Sequence, residues 1–446
     1  MKKTILFLMV WVCLYSCQKD DYINTDLSIQ EATTKKAKSS NSIVNKLFED
    51  SYHAIKLMRN SNGVYLDALA LNNAYNKPGS IAANGVGLIS LCIADSMYKK
   101  TNDAVNWENT SETLVTSTLN TFLNFKNNGA TNTNGLFRRY FNVNTGFKDG
   151  SWSEEYSTID NAIFAMGLIF CKNYYSNNTS IVNKINLLLS NMDFTAAISS
   201  DGQQLYMVLD EFGNGSATTG AYNEYMIVAW LAKNVDSSNA GYLKSQTYWN
   251  SHYASPSSAF IHPENYWGID LISDGSFVSN FIPLFTYYYC NYFKNNSDYM
   301  TYFDNFRKSD SLFWTKISPG INSYEWGLGA GENPGGGYSA NAIDRNNQQI
   351  VSPHIIAGFI PIYSQSTNDL ISLYDNGNGP SVYSLPGSPS KKVLWRYSRL
   401  NTSLRCSYIQ AVDFSTMLYG LATLPDNLGA QFFYTNCNLN SSILGQ

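Results

Sequence analysis

The sequence predicts an all-α fold, an (α/α)6 barrel whose long loops form a cleft at one end. Three observations predict it. Of the 446 residues, 44% are hydrophobic and only 14% charged, which suits a large buried core and not a disordered chain. Apolar residues recur at helical spacing in twelve segments, near 41–60, 80–100, 106–126, 157–175, 179–192, 221–234, 240–252, 277–293, 297–314, 353–364, 366–375 and 409–423. The segments also alternate in kind. I-F-A-M-G-L-I-F-C (163–171) and E-Y-M-I-V-A-W-L-A (224–232) are apolar on every side and must lie inside other structure, whereas 106–126 and 297–314 carry polar faces. Six buried–amphipathic pairs make an inner ring and an outer ring.

The chain opens with M-K-K and an apolar run, T-I-L-F-L-M-V-W-V-C-L-Y, that is shorter than the roughly 18 residues a membrane span needs. It ends at L-Y-S-C, which resembles a bacterial lipoprotein box with Cys17 as the lipidated residue, and the following Q-K-D-D resembles the surface-export signals of Bacteroidetes lipoproteins. The expectation is a leader over 1–17, a flexible tether over 18–40, and one barrel domain over 41–437. The tether spans roughly 25–30 Å as a random coil. The protein is then exported and held on the outer membrane, at its periplasmic face or at the cell surface, as a monomer. The formal charge of −4 becomes −6 once Lys2 and Lys3 leave with the leader, which argues against a nucleic-acid partner. There is no CxxC and no HExxH among the four His, so neither a metal nor a cofactor is expected. Cys92, Cys171 and Cys290 sit in apolar helical runs as small hydrophobes; Cys406 with Cys437 is the one pairing considered for a disulfide.

The loops at 127–156, 255–276 and 318–352 carry the unusual residues: K-D-G-S-W-S-E-E-Y, H-P-E-N-Y-W-G-I-D and Y-E-W-G-L-G-A-G-E-N-P-G-G-G-Y. The glycine run lacks GK[ST] and follows no strand pattern, so it is no phosphate loop. Three carboxylates stand out. Asp160 lies three residues after Ser157, a capping-box spacing that the helix dipole favours on structural grounds alone. Glu224 is expected in the first turn of an apolar helix, where Tyr222 and Trp230 could desolvate it. Asp413 sits in I-Q-A-V-D-F-S-T-M-L, away from any obvious helix start and with no Lys or Arg within four residues. A carboxylate so placed must be paired, protonated or used. Carboxylates from different barrel helices, among Trp152, Tyr222, Trp267 and Trp326, suit glycosidic-bond hydrolysis, in which one protonates the leaving oxygen and another activates water.

Several motifs in order carry a family resemblance. F-R-R-Y-F-N-V-N-T-G (137–146), S-E-E-Y-S-T-I-D-N-A-I-F-A-M-G (153–167), Y-N-E-Y-M-I-V (222–228), P-L-F-T-Y (283–287), W-G-L-G-A (326–330), I-V-S-P (350–353) and A-V-D-F-S (411–415) resemble the bacterial glucoamylase-like domain. That family includes the endo-β-1,2-glucanases of glycoside hydrolase family 144. The resemblance implies an (α/α)6 barrel and hydrolysis of a β-linked glucan with inversion. It makes Glu224 the general acid and Asp413 the general base, with Asp160 and Glu155 in support. Arg139, Trp152, Tyr222, Trp267 and Trp326 are then expected to bind the oligo- or polysaccharide. Where the family has Asp-Gln-Gly, this chain has Asp413-Phe414-Ser415.

Two other readings compete. A non-catalytic glycan-binding surface lipoprotein would show a helical repeat near 34 residues, which the sequence lacks. A polysaccharide lyase on the same barrel would want basic residues to face uronic acids, and these are few.

Overall fold

The computed structural model describes residues 42–439 and 444–445, apart from 73, 151, 154, 257–261, 274–277 and 318–319. The expected leader, Cys17 and the tether lie outside the described residues. The barrel belongs to the unit Val44–Gln446.

All twelve expected helical segments form helix. The inner ring consists of α2 (Ile81–Thr101), α4 (Thr158–Tyr174), α6 (Met226–Lys233), α8 (Phe281–Tyr289), α11 (Pro353–Gly358) and α13 (Ala411–Ala422). Each packs on the next, and α13 returns to α2, so the ring closes. Their apolar residues are almost all buried, as wholly apolar helices require. The outer helices are α1 (42–57), α3 (Ser111–Asn127), α5 (Thr179–Leu189), α7 (Tyr242–His252), α10 (Ser297–Ile317) and α12 (Gln365–Tyr374). Of these, α3, α5, α7, α10 and α12 pack on α2, α4, α6, α8 and α11 in turn. Two glycines set a close contact between inner helices. A Cβ on Gly85 would come within 2.4 Å of the Ile163 carbonyl, and one on Gly167 within 2.5 Å of the Gly85 carbonyl. Only bare backbone lets α2 and α4 approach so closely.

Two short helices escape the sequence pattern. Cys290 is extended (φ −123°, ψ 112°), which ends α8 and leaves α9 (Asn291–Lys294) separate; α14 (Ala430–Asn436) follows the barrel. Two local expectations are corrected. Asp413 is the third residue of α13, inside its first turn, because Tyr408–Gln410 forms a strand against Ala68–Ala70 and delays the helix to Ala411. Glu224 precedes α6 instead of starting it, because the Asn223 side chain accepts a bond from the Tyr225 amide at 3.0 Å and shapes a turn. Cys406 and Cys437 are both free and buried in separate surroundings. The Cys406 thiol bonds the Glu332 carbonyl, and Cys437 bonds the Phe433 carbonyl.

Small antiparallel sheets crown the end of the barrel where the inner helices begin. Gly79–Ser80 pairs with Tyr140–Phe141, and Tyr156–Ser157 with Leu205–Leu209. Ala330–Glu332 pairs with Tyr338–Ala340, so the glycine-rich run is a hairpin. Its tip passes through Gly335, Gly336 and Gly337, all at positive φ (87°, 106° and 80°), a path that residues with a Cβ resist.

Candidate active site

Two inner helices begin with the same device. Ser80 caps α2 and Ser157 caps α4. Four residues on, a buried Asn reaches back to a loop. The Asn84 amide donates to the Ser80 and Tyr65 carbonyls and accepts from the Tyr65 amide. Asn161 donates to the Ser157 and Phe137 carbonyls and accepts from the Phe137 amide at 2.8 Å. Two residues beyond each clamped position stand Asp67 and Arg139. The Ser–x–x–x–Asn pairs thereby deliver an acid and a base to the same rim.

There the side chains converge on a cleft of about 520 Å³, within the usual range for ligand sites. Asp160, Glu224 and Asp413 all line it, together with Arg139 and Trp152. Asp67, Lys77, Tyr140, Phe281, Phe285 and Tyr338 also line the wall, and sequence reasoning missed all six. Glu155 stands behind the lining, where it accepts from Arg139 at 3.2 Å. Arg139 also faces Asp160 at 3.6 Å, and these carboxylates, Asp160 foremost, hold its guanidinium firmly charged. Asp160 is the capping residue its spacing suggested: its amide donates to Ser157 Oγ at 3.3 Å, and that hydroxyl donates back to its carboxylate.

Asp413 is 5% exposed. Burial pushes its pKa up to about 7, with a further rise from Asp67; Arg396, the Tyr338 hydroxyl and Arg139 pull the other way. Tyr338 donates to Asp413 Oδ1 at 3.2 Å from the glycine-rich hairpin. Its ring is 60% exposed along the cleft while its hydroxyl is turned inward to the carboxylate. Arg396 is the distant cation that the local sequence lacked. It is fully buried, and its guanidinium donates to the Ser339 carbonyl at 3.2 Å, the Gly331 carbonyl and the Asn341 side chain, so it braces both hairpin strands. Burial pushes the pKa of Asp67 up to about 6, and Asp160 adds to this; Arg139, Lys77 and the Ser80 hydroxyl oppose it. Among the described residues no cluster of three or more His, Cys, Asp or Glu is arranged to hold a metal.

Of the four aromatics expected at the cleft, only Trp152 lines it. It is 40% exposed, edge-on to Tyr140 at 6.0 Å, with Lys77 Nζ 4.3 Å above its ring. Tyr222 is 2% exposed and stacks on Tyr299, because the turn at Asn223 directs it into the wall between rings. Trp326 is equally buried; its indole N–H donates to Asp369 at 2.9 Å and its ring packs on Phe359. Trp267 is at the turn of the hairpin His262–Tyr266/Ile269–Ser273, at φ 56°, and does not line the cleft.

No protein-family model and no curated protein matches the chain in sequence. Solved structures match its fold. An endo-β-1,2-glucanase from Chitinophaga pinensis, in complex with sophorotriose and glucose, superposes over 89% of this chain and 96% of its own, with TM-score 0.71 and 14% identity. A β-1,2-glucanase from Parabacteroides distasonis covers 91% of this chain with TM-score 0.69 and 12% identity, over 59% of its own length. An endo-β-1,2-glucanase variant from Talaromyces funiculosus, with β-1,2-glucan bound, covers 88% of this chain and 85% of its own, with TM-score 0.65 and 12% identity. The (α/α)6 fold is therefore shared at identities where sequence alone is nearly silent.

Proposed function

We propose that the protein hydrolyses a β-linked glucan as an inverting glycoside hydrolase of the endo-β-1,2-glucanase kind. The observation that carries the reading is Asp413: a buried carboxylate with its pKa raised to about 7, in one cleft with Glu224 and Asp160. A group poised near the working pH is well matched to proton transfer. Glu224 gives its proton to the glycosidic oxygen as the bond to the anomeric carbon breaks. Asp413 takes a proton from the water that attacks the opposite face. Asp160, Glu155 and Arg139 form a charged bracket beside them. Trp152 and Tyr140 offer ring faces to sugar C–H surfaces, and Tyr338 holds Asp413 in place. The sophorose-type ligands of the solved structures that share this fold support the substrate class. Cys17 anchors the chain to the outer membrane through its lipid.

The test is a panel of β-1,2-, β-1,3-, β-1,4- and β-1,6-glucans, with products resolved by chromatography and the new anomer read by NMR. β-1,2-Glucan should give short oligosaccharides whose first-formed ends are α. Tight sugar binding without cleavage of any glucan would make the protein a binder. An unsaturated product absorbing in the ultraviolet would make it a lyase.

A further inference from the structure

The fourth carboxylate of the cleft, Asp67, has no part in the scheme above. Its neighbours in sequence, V-Y-L-D-A-L-A-L, are apolar, yet its carboxylate lines the cleft. Its backbone is fixed on both sides: the amide donates to the Pro78 carbonyl at 2.9 Å, and its carbonyl accepts from the Ala411 amide at 2.9 Å. That second bond caps the first residue of α13, two positions before Asp413. The strand that follows, Ala68–Ala70, pairs with Tyr408–Gln410, the strand that leads into α13. Asp67 is thus bound rigidly to the helix start that presents Asp413.

We infer that Asp67 is a positioning residue whose negative charge governs when Asp413 holds or releases its proton, so that a further carboxylate tunes the Glu224–Asp413 pair. This rests on the hydrolase reading only for its catalytic consequence. The groups that face Asp67 are Asp160, Arg139, Lys77, Tyr140 and the Ser80 hydroxyl. Those that face Asp413 are Arg396, Tyr338, Arg139 and Asp67. Among these groups Asp67 is the anion that pushes the Asp413 pKa upward, in addition to burial. An anion beside Asp413 opposes its ionisation and makes it a stronger base once ionised. A merely structural Asp67 would serve Ser80 as a hydrogen-bond acceptor, which an amide does equally well.

The experiment uses Asp67→Asn, and Asp67→Ser as a second neutral variant with the same backbone bonds. The carboxyl carbon of Asp413, assigned by its loss in Asp413→Asn, is titrated by ¹³C NMR in each protein. Removal of the neighbouring charge should lower the Asp413 midpoint by about half a pH unit or more. If wild type cleaves glucan, the acid limb of its kcat/KM profile should move down by the same amount. An unchanged midpoint in a folded neutral variant overturns the inference. A wild-type protein that cleaves no glucan overturns the hydrolase reading instead, and the titration still decides the role of Asp67.

Discussion

At Asp413, burial and the N-terminus of α13 act in opposite directions. The dipole and Arg396 favour the anion; lost hydration outweighs them and lifts the pKa to about 7. Because the folded value exceeds the unfolded one of about 4, ionisation favours the unfolded chain. Stability is full below about pH 4 and declines as the pH rises towards 7. Asp413→Asn removes that cost. Its melting temperature should exceed wild type at pH 8, by an amount that shrinks at pH 4.5, with about 4 kcal/mol as the upper bound. Its kcat should meanwhile fall about 10²–10⁴-fold. A less stable variant with full activity would remove Asp413 from the chemistry. The tryptophans separate in the same way. Trp152→Ala should weaken sugar binding in calorimetry at little cost in stability. Trp326→Ala should cost about 3–5 kcal/mol in denaturant unfolding, since its ring is fully packed. Carboxylates were more legible than aromatics for a physical reason. An acid amid apolar residues is costly wherever it sits, so Asp413 draws notice from sequence. Trp is at home both in a core and in a cleft, and nothing local distinguishes Trp326 from Trp152. Asp67 has the same apolar setting as Asp413 but no helical spacing around it to locate it in a barrel.

Among the elements, the helices were legible because a closed ring demands segments that are apolar on every side, a pattern with few other uses. The crown was not. Its strands have two to five residues within the site, too short for alternation to stand out, and outside the glycine-rich hairpin their partners are far away in sequence. One such strand, Tyr408–Gln410, moved the start of α13 and with it the reading of Asp413. The paired Asn84 and Asn161 escaped notice too, since a buried amide in a first turn resembles any capping residue. Their importance is testable. Asn161→Ala strands the Phe137 amide and carbonyl in the core and should cost about 1–3 kcal/mol. It should also depress activity beyond the loss of folded protein, because Arg139 is set two residues from the clamp. Activity per folded molecule, normalised by active-site titration, checks this. At the α2–α4 contact, Gly167→Ala should lower the unfolding free energy by about 1–3 kcal/mol as the helices part, read as a lower denaturant midpoint.

For the whole molecule, the cleft lies at the shared end where inner helices begin, so ligand there touches loops from many parts of the chain. The lipid anchor proposed at Cys17 adds a prediction of its own: Cys17→Ser should release the protein from the membrane fraction and abolish labelling by a fatty-acid analogue. The pairing of Ala68–Ala70 with Tyr408–Gln410 has a consequence in time. These strands are about 340 residues apart, and the acids they present, Asp67 and Asp413, meet only when the last inner helix reaches the first. Contacts so remote in sequence form slowly. During synthesis, five of the six inner helices emerge while the ring still gapes, its apolar walls awaiting α13. The nascent barrel is therefore an aggregation hazard until nearly the end of translation, and the candidate site is completed last. Delay of that closure, as by a stalled ribosome or a missing chaperone, should yield insoluble chains and not a partly active enzyme.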